Sequence, residues 1–131
     1  MNRSAILMAA LLLAACSSNE VTSGPLSGTS RFVGDSDIED MVEMEKGRIE
    51  FSESDLPVYQ VDLINNDEDD VQAEYMAHWF DDRGIEVNDP TRGWRPIFIA
   101  GGGRRPIRVF APSVEAVRCE VEVRLPHPLG S

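Results

Sequence analysis

Apolar and polar residues alternate most strictly in VRCEVEVRL, residues 117–125: Val117, Cys119, Val121, Val123 and Leu125 fall on one face, and Arg118, Glu120, Glu122 and Arg124 on the other. A period of two predicts a half-buried antiparallel strand. Cys119 then reads as a small core side chain, since no base is evident beside it to make it a nucleophile. Tyr59, Val61 and Leu63 alternate in VYQVDLI before the loop NNDEDD. Residues 71–80, VQAEYMAHWF, put Val71, Ala73, Tyr75, Ala77 and Trp79 on one face, while Met76 and Phe80 leave the other partly apolar, as in a central strand.

Turn chemistry divides the residues after Phe80. DDRG predicts a turn, IEV a short strand, NDPTRG a loop, and WRPIFIA and PIRVFAP two further strands around GGGRR, which reads as a hairpin or bulged loop. Pro96 and Pro106 confine those strands to starts or edges, because proline has no N–H for a ladder. Short strands with turn signals every eight to twelve residues predict an all-β sandwich or barrel. Trp79, Trp94, Tyr75, Phe98 and Phe110 are its expected aromatic bulk.

Upstream the pattern fades. From Cys16 to about residue 34 no period is sustained among small and polar residues with Gly and Pro, which predicts a flexible tether spanning about 25 Å. In DSDIEDMVEMEKG, Ile38, Met41 and Val42 have helical spacing, yet Val42 and Met44 also alternate with acids; a short helix and an edge strand both fit. The expected division is a leader over 1–15, an acidic tether over 16–45, a β-domain over 46–126 and a tail over 127–131.

The leader has a recognisable form. Arg3 precedes the apolar run AILMAALLLAA, residues 5–15, which is too short to span about 30 Å of hydrocarbon as a helix. It ends in Leu13-Ala14-Ala15-Cys16, which resembles the bacterial lipobox. An ordinary secretory cut with an incidental cysteine is the alternative. Lipidation at Cys16 would anchor the mature chain to a membrane, each buried CH₂ adding about 0.8 kcal/mol. By resemblance to bacterial lipoproteins, Ser17 implies sorting to the outer membrane. With Cys16 so used, Cys119 has no disulfide partner.

Composition narrows the function classes. The 131 residues carry 12 basic and 23 acidic side chains, a formal charge of -11, which argues against nucleic-acid binding. Residues 16–70 hold 15 acids and three basic residues, whereas 71–131 hold eight of each. An acidic, self-repelling spacer explains the first half. No catalytic set emerges. His127 lies in the tail, His78 fits an ordinary strand residue, no G-x-S-x-G occurs, and no carboxylate pair stands out. Asp67, Glu68, Asp69 and Asp70 depart from a calcium loop by lacking Gly at its sixth place and Glu at its twelfth. The glycines of GGGRR precede a strand, not a helix N-terminus, so they do not predict a phosphate cradle. The chain is therefore expected to be no enzyme and to need no metal or cofactor.

Leu63-Ile64-Asn65, an acidic loop, Tyr75 through Trp79-Phe80-Asp81 with Gly84, then Trp94-Arg95 and Ala111-Pro112 together resemble the YcfL-like family of bacterial lipoproteins, over roughly residues 56–125. The resemblance implies an immunoglobulin-like antiparallel β-sandwich of about seven strands, on an outer-membrane lipoprotein facing the periplasm, with no established activity. In some bacteria such proteins are encoded beside a lipoprotein activator of a peptidoglycan synthase, which associates the family with envelope maintenance. The motif also has a structural reading: Trp79 packs between sheets, Asp81 caps a turn and Gly84 takes a positive φ.

Six arginines, Arg83, Arg92, Arg95, Arg104, Arg105 and Arg108, fall between residues 83 and 108 around Trp94. Arg and Trp are enriched where proteins bind partners, and loops at one end of a sandwich carry recognition. Arg92, Trp94, Arg95, Arg104 and Arg105 are the candidate partner-binding residues, for an acidic envelope protein. Internal balance of the acidic half is the alternative. Three functions remain: a membrane-tethered binding or adaptor module, which is favoured, an envelope hydrolase, and a purely structural lipoprotein.

Overall fold

The computed structural model describes residues 21–23, 26–34 and 36–126. The expected leader over 1–15, Cys16 and the tail over 127–131 lie outside the described residues. In chain order the elements are β1 (Val21–Ser23), β2 (Leu26–Phe32), α1 (Asp37–Met41), β3 (Val42–Met44), β4 (Arg48–Phe51), β5 (Pro57–Asn65), β6 (Val71–Phe80), β7 (Arg95–Ile99), β8 (Arg104–Phe110) and β9 (Arg118–Arg124). Seven strands have four residues or more; β1 and β3 add two three-residue strands.

Two sheets stack face to face as the β-sandwich that the strand pattern implies. One runs β1-β2-β9-β6-β7. In the other, β5 pairs with β8 along one edge and, along the opposite edge, with β4 over Pro57–Gln60 and β3 over Leu63–Asn65. Alternation decides what each strand buries. Cys119, Val121 and Val123 of β9 are fully buried beside Ala73 and Trp79 of β6 and Ile97 and Ile99 of β7. They face Tyr59, Val61 and Leu63 of β5 and Ile107 of β8. Each fully buried aliphatic side chain contributes about 1.5–3 kcal/mol.

Both prolines sit on edge strands. β7 bonds β6 through the pairs at Val71, Ala73 and Tyr75, so Pro96, opposite Glu74, turns its nitrogen away from the ladder. Likewise Glu45 donates to Asp62 O and Asn65 donates to Gly103 O, which puts the β8-facing groups of β5 at odd-numbered positions and leaves Pro106, opposite Asp62, pointing outward.

The structure corrects the domain boundary. Residues 26–34 and 36–45 are not tether: β2 pairs in parallel with β9, from Ser27 opposite Arg118 to Phe32 opposite Val123. β9 is therefore antiparallel only toward β6. The reason is steric. Tyr59 is fully buried, and its ring lies so close to Gly28 and Gly47 that a Cβ on either would fall within 2.4–2.5 Å of it. Small residues face the core there because an aromatic ring from the opposite sheet fills the space. Residues 36–46 satisfy both readings in succession, with α1 burying Ile38 completely and β3 following at once.

GGGRR is not a hairpin. β7 belongs to one sheet and β8 to the other, so Gly101–Gly103 cross between sheets. Buried Asn65 holds this crossing: its Nδ2 donates to Asp69 O at 2.8 Å, Ile99 O at 3.1 Å and Ala100 O at 3.2 Å, and its Oδ1 accepts from Asp67 N–H at 2.9 Å. Gly101 abuts the backbone of Glu68, where a Cβ would lie 2.0 Å from the carbonyl oxygen. Two aromatics expected in the core are on the surface, Phe98 at 49% and Phe110 at 53% exposure. Phe98 alternates with Ile97 and Ile99, and those two take the inward positions. IEV forms only an isolated bridge, Glu86 opposite Phe80.

Candidate ligand-binding cleft

β6 is longer than its partner β7. The β7 ladder ends at Tyr75 opposite Arg95, and the rest of β6, Met76–Phe80, is flanked on that side by the loop 81–94. Asp81 shapes the loop's start: its Oδ1 accepts the N–H groups of Arg83 and Ile85, both at 2.9 Å, around Gly84 at φ +79°. These backbone donors, Ile85 first, and Arg83 hold the Asp81 carboxyl below its ordinary value. The loop returns to β6 once more, where Val87 N–H donates to Trp79 O at 2.7 Å. Asp89 then folds the next turn by accepting from Thr91 N–H at 2.9 Å and Thr91 Oγ1 at 2.7 Å.

Between this loop, β6 and the end of β8 is a cleft of about 170 Å³, bounded by Tyr75, Ala77 and Trp79, by Asp89 and Thr91–Gly93 with Arg95, and by Arg108–Phe110. Three arginines and one carboxylate line it, in a chain of formal charge -11. Asp89 is engaged by its own turn. Arg92 is paired with Glu86, whose same oxygen lies 2.8 Å from His78 Nδ1. Arg95 has no ion pair among the described residues and reaches only the Thr91 carbonyl at 3.4 Å, whereas Arg108, alternating with inward Ile107 and Val109, carries its guanidinium to the outer face of its sheet, over the Phe110 ring and near Glu50. The indole N–H of Trp79, a residue 2% exposed, has no acceptor among the described residues. A pocket so lined can hold an anion and lay an apolar group beside Trp79 and Val109.

The candidate partner residues separate. Arg92 and Arg95 line the cleft, joined by Arg108, Asp89 and Thr91, which the sequence had not singled out as site residues. Alternation with Ile107 and Val109 turns the Arg108 side chain outward, so β8 borders the cleft there without aiming that charge into it; no local signal marks Asp89 or Thr91. Trp94 is outside the cleft and lies under Arg124, whose guanidinium carbon is 3.6 Å from the ring centroid while its Nε donates to Glu74. Arg104 and Arg105 lie four and three residues away from Arg108, about 13 and 10 Å along the strand. Arg104 is committed to both carboxylate oxygens of Glu45 and to Asp62, partners that raise its already high pKa further. For Arg104 the internal-balance reading holds.

Elsewhere the chemistry is structural. Cys119 is fully buried, and burial raises its thiol well above its ordinary value, as expected of a core side chain. Asp67 accepts from Glu68 and Asp69 N–H, and Asp70 from Gly101 N–H. The acidic run thus folds its own loop and the sheet crossing.

Fold and cleft together define a small β-sandwich with a partly apolar recess, edged by Arg95, on an acidic body. The chain belongs to the DUF1425 family of proteins of unknown function, whose profile matches residues 29–125. Among solved structures it resembles a DUF1425 family member from a Shewanella species, with a TM-score of 0.61 and 20% identity over 83% of this chain and 89% of that one. It also resembles Campylobacter jejuni Cj0090, with a TM-score of 0.59 and 15% identity over 74% and 97%. No curated protein matches. The family match begins at Thr29, within β2, in accord with the corrected boundary.

Proposed function

We propose that this chain is a YcfL-like lipoprotein, anchored through acyl groups on Cys16 to the outer membrane and facing the periplasm, where it acts as a non-catalytic binding or adaptor module in envelope maintenance. The cleft carries the reading. Arg95, without an ion pair among the described residues, lines it together with Tyr75 and Trp79, and an anionic group with an apolar part is what that lining accepts. The lipobox-like Leu13-Ala14-Ala15-Cys16 supports the anchor. No nucleophile and base converge in the cleft, which favours binding over the envelope-hydrolase alternative.

A photo-cross-linker placed at Thr91 tests the reading in cells. A discrete adduct with an envelope component, lost in Arg95→Glu and retained in Arg104→Glu, is the expected result. Adducts indifferent to Arg95 would refute it. Cys16→Ser should abolish both processing and membrane partition, and a variant that still partitions would remove the anchor from the proposal.

A further inference from the structure

Five large apolar side chains are exposed among the described residues, and four of them gather at one end of the sandwich. Phe51 ends β4 and Phe110 ends β8, the two strands that flank the start of β5, so they stand about 10 Å apart across two strand spacings. Val114 lies on the segment that crosses at this end from β8 to β9, and Ile85 closes the turn after β6, where Asp81 N–H donates to Ile85 O. Each of the four is more than half exposed. Single exposed apolar residues are ordinary, but a group of them at one end of a small domain marks a surface that something covers. The opposite end has another character: Asp37, Glu39, Asp40 and Glu43, from α1 and β3, are exposed there beside the acidic loop after β5.

The place where the anchored chain enters the sheet decides which end can meet a membrane. Val21 is opposite Gly28, Gly28 opposite Cys119 and Cys119 opposite Trp79, so Val21 lies level with Trp79, one residue short of the apolar end of β6. The acidic end, at Val71, is eight residues away along β6, about 27 Å. Five residue steps separate Val21 from Cys16, about 17 Å at full extension. An acylated Cys16 therefore cannot bring the acidic end onto lipid. Reach leaves the apolar end and the flank beside β1, and the exposed side chains select the end. We propose that this end of the sandwich docks on the bilayer that holds the anchor, with Phe51, Ile85, Phe110 and Val114 inserted among the lipid headgroups. Glu53, Asp55, Asp82 and Glu115 are exposed around them, so the surface suits zwitterionic lipid and not anionic lipid. The cleft, which Phe110 also borders, is thereby held close to the headgroups. The docking rests on the Cys16 anchor proposed above.

The test uses the full chain, processed and acylated in cells, in phosphatidylcholine vesicles. A fluorophore on Asp82→Cys reports on the apolar end and one on Asp69→Cys on the acidic end, while buried Cys119 stays unlabelled. Lipids carrying a nitroxide on the headgroup should quench the first about fivefold more than the second. Raising salt from about 0.05 to 0.5 M should leave that difference unchanged, because apolar insertion is not screened. Ile85→Ser/Val114→Ser, two substitutions outside the strands, should at least halve the difference while the chain stays folded and bound to the vesicles. Equal quenching at the two positions, stronger quenching at Asp69→Cys, or a difference indifferent to the serine substitutions would overturn the docking and leave the anchor standing. Shielding of the Asp82→Cys label that grows with protein density, without quenching by lipid, would assign the end to a second copy of the chain and overturn it equally. Protein that carries no acyl group, or that leaves the vesicles, would remove the anchor and the docking with it.

Discussion

Replacing Gly28 by alanine inserts one methyl group between β2 and Tyr59, 2.4 Å from one ring carbon and 2.5 Å from a second. Those atoms should stand near 3.5–4.0 Å apart, so something must move by more than 1 Å. The ring cannot retreat, because a Cβ at Gly47 would be just as close to it from another direction and Tyr59 is fully buried. β2 cannot retreat without stretching its parallel ladder with β9. Overpacking a core costs about 1–3 kcal/mol, and a rigid contact of this kind belongs at the upper end. Alanine returns about 0.5–1 kcal/mol through its lower conformational freedom in a strand. A net loss of about 2 kcal/mol remains, equivalent to about 8–16 °C in Tm for a domain of this size. Urea unfolding followed by near-ultraviolet circular dichroism measures it. Tyr59→Leu supplies the control, since removing the ring should relieve at least half of the Gly28→Ala penalty as a coupling in the double-mutant cycle. A Gly28→Ala midpoint within 0.5 kcal/mol of wild type, the value a tether residue would give, would refute the placement of β2 in the sandwich. The same penalty with and without the ring would refute its steric cause.

Trp79→Ala should lower stability by about 3–5 kcal/mol through the cavity it leaves, measured by the same unfolding curve. Asn65→Leu, which strands carbonyls of Asp69, Ile99 and Ala100, should cost about 2–3 kcal/mol, and an unchanged midpoint would deny Asn65 its role at the sheet crossing. In a Cys16→Ser background Cys119 should resist a thiol reagent until the domain unfolds, and rapid labelling of the native chain would contradict its burial. Because the Asp81 carboxyl is depressed in the folded state, it stabilises the protein above the unfolded-state value of about 3.9, and that contribution fades as pH falls through the folded-state value. The stability difference between wild type and Asp81→Asn should therefore be constant near neutrality and vanish in acid; a difference that persists in acid would place its origin elsewhere.

Strands that bury large side chains at every second position were legible: β9 from Cys119, Val121 and Val123, β5 from Tyr59, Val61 and Leu63, and β6 from Val71, Ala73 and Trp79. The Asp81 turn and the positive φ at Gly84 were legible for the same reason, since short-range chemistry determines them. β2 was not. Its inward residues are Leu26, Gly28 and Ser30, and small residues under a ring from another strand carry no hydrophobic period. Nor does a glycine run reveal whether the chain turns back within a sheet or crosses to the other one, because that depends on which strand β8 pairs with, some 45 residues away. The cleft was half legible. Arg92 and Arg95 could be picked out by composition, but separating them from Arg104 required knowing that Glu45 and Asp62 lie beside it, which only the β5 and β3 pairing establishes.

The parallel pairing of β2 with β9 also governs how far this protein can reach. With Cys16 as the proposed anchor, an unstructured stretch over residues 16–45 would have a contour length on the order of 100 Å. Because the chain is already in the sheet at Val21, only five residue steps separate it from Cys16, about 17 Å at full extension. A domain on so short a leash searches a layer barely deeper than its own diameter. Partners embedded in the same leaflet meet it at high local concentration, whereas distant ones must travel to it. Encounter then becomes a two-dimensional problem, decided by lateral diffusion more than by length of arm.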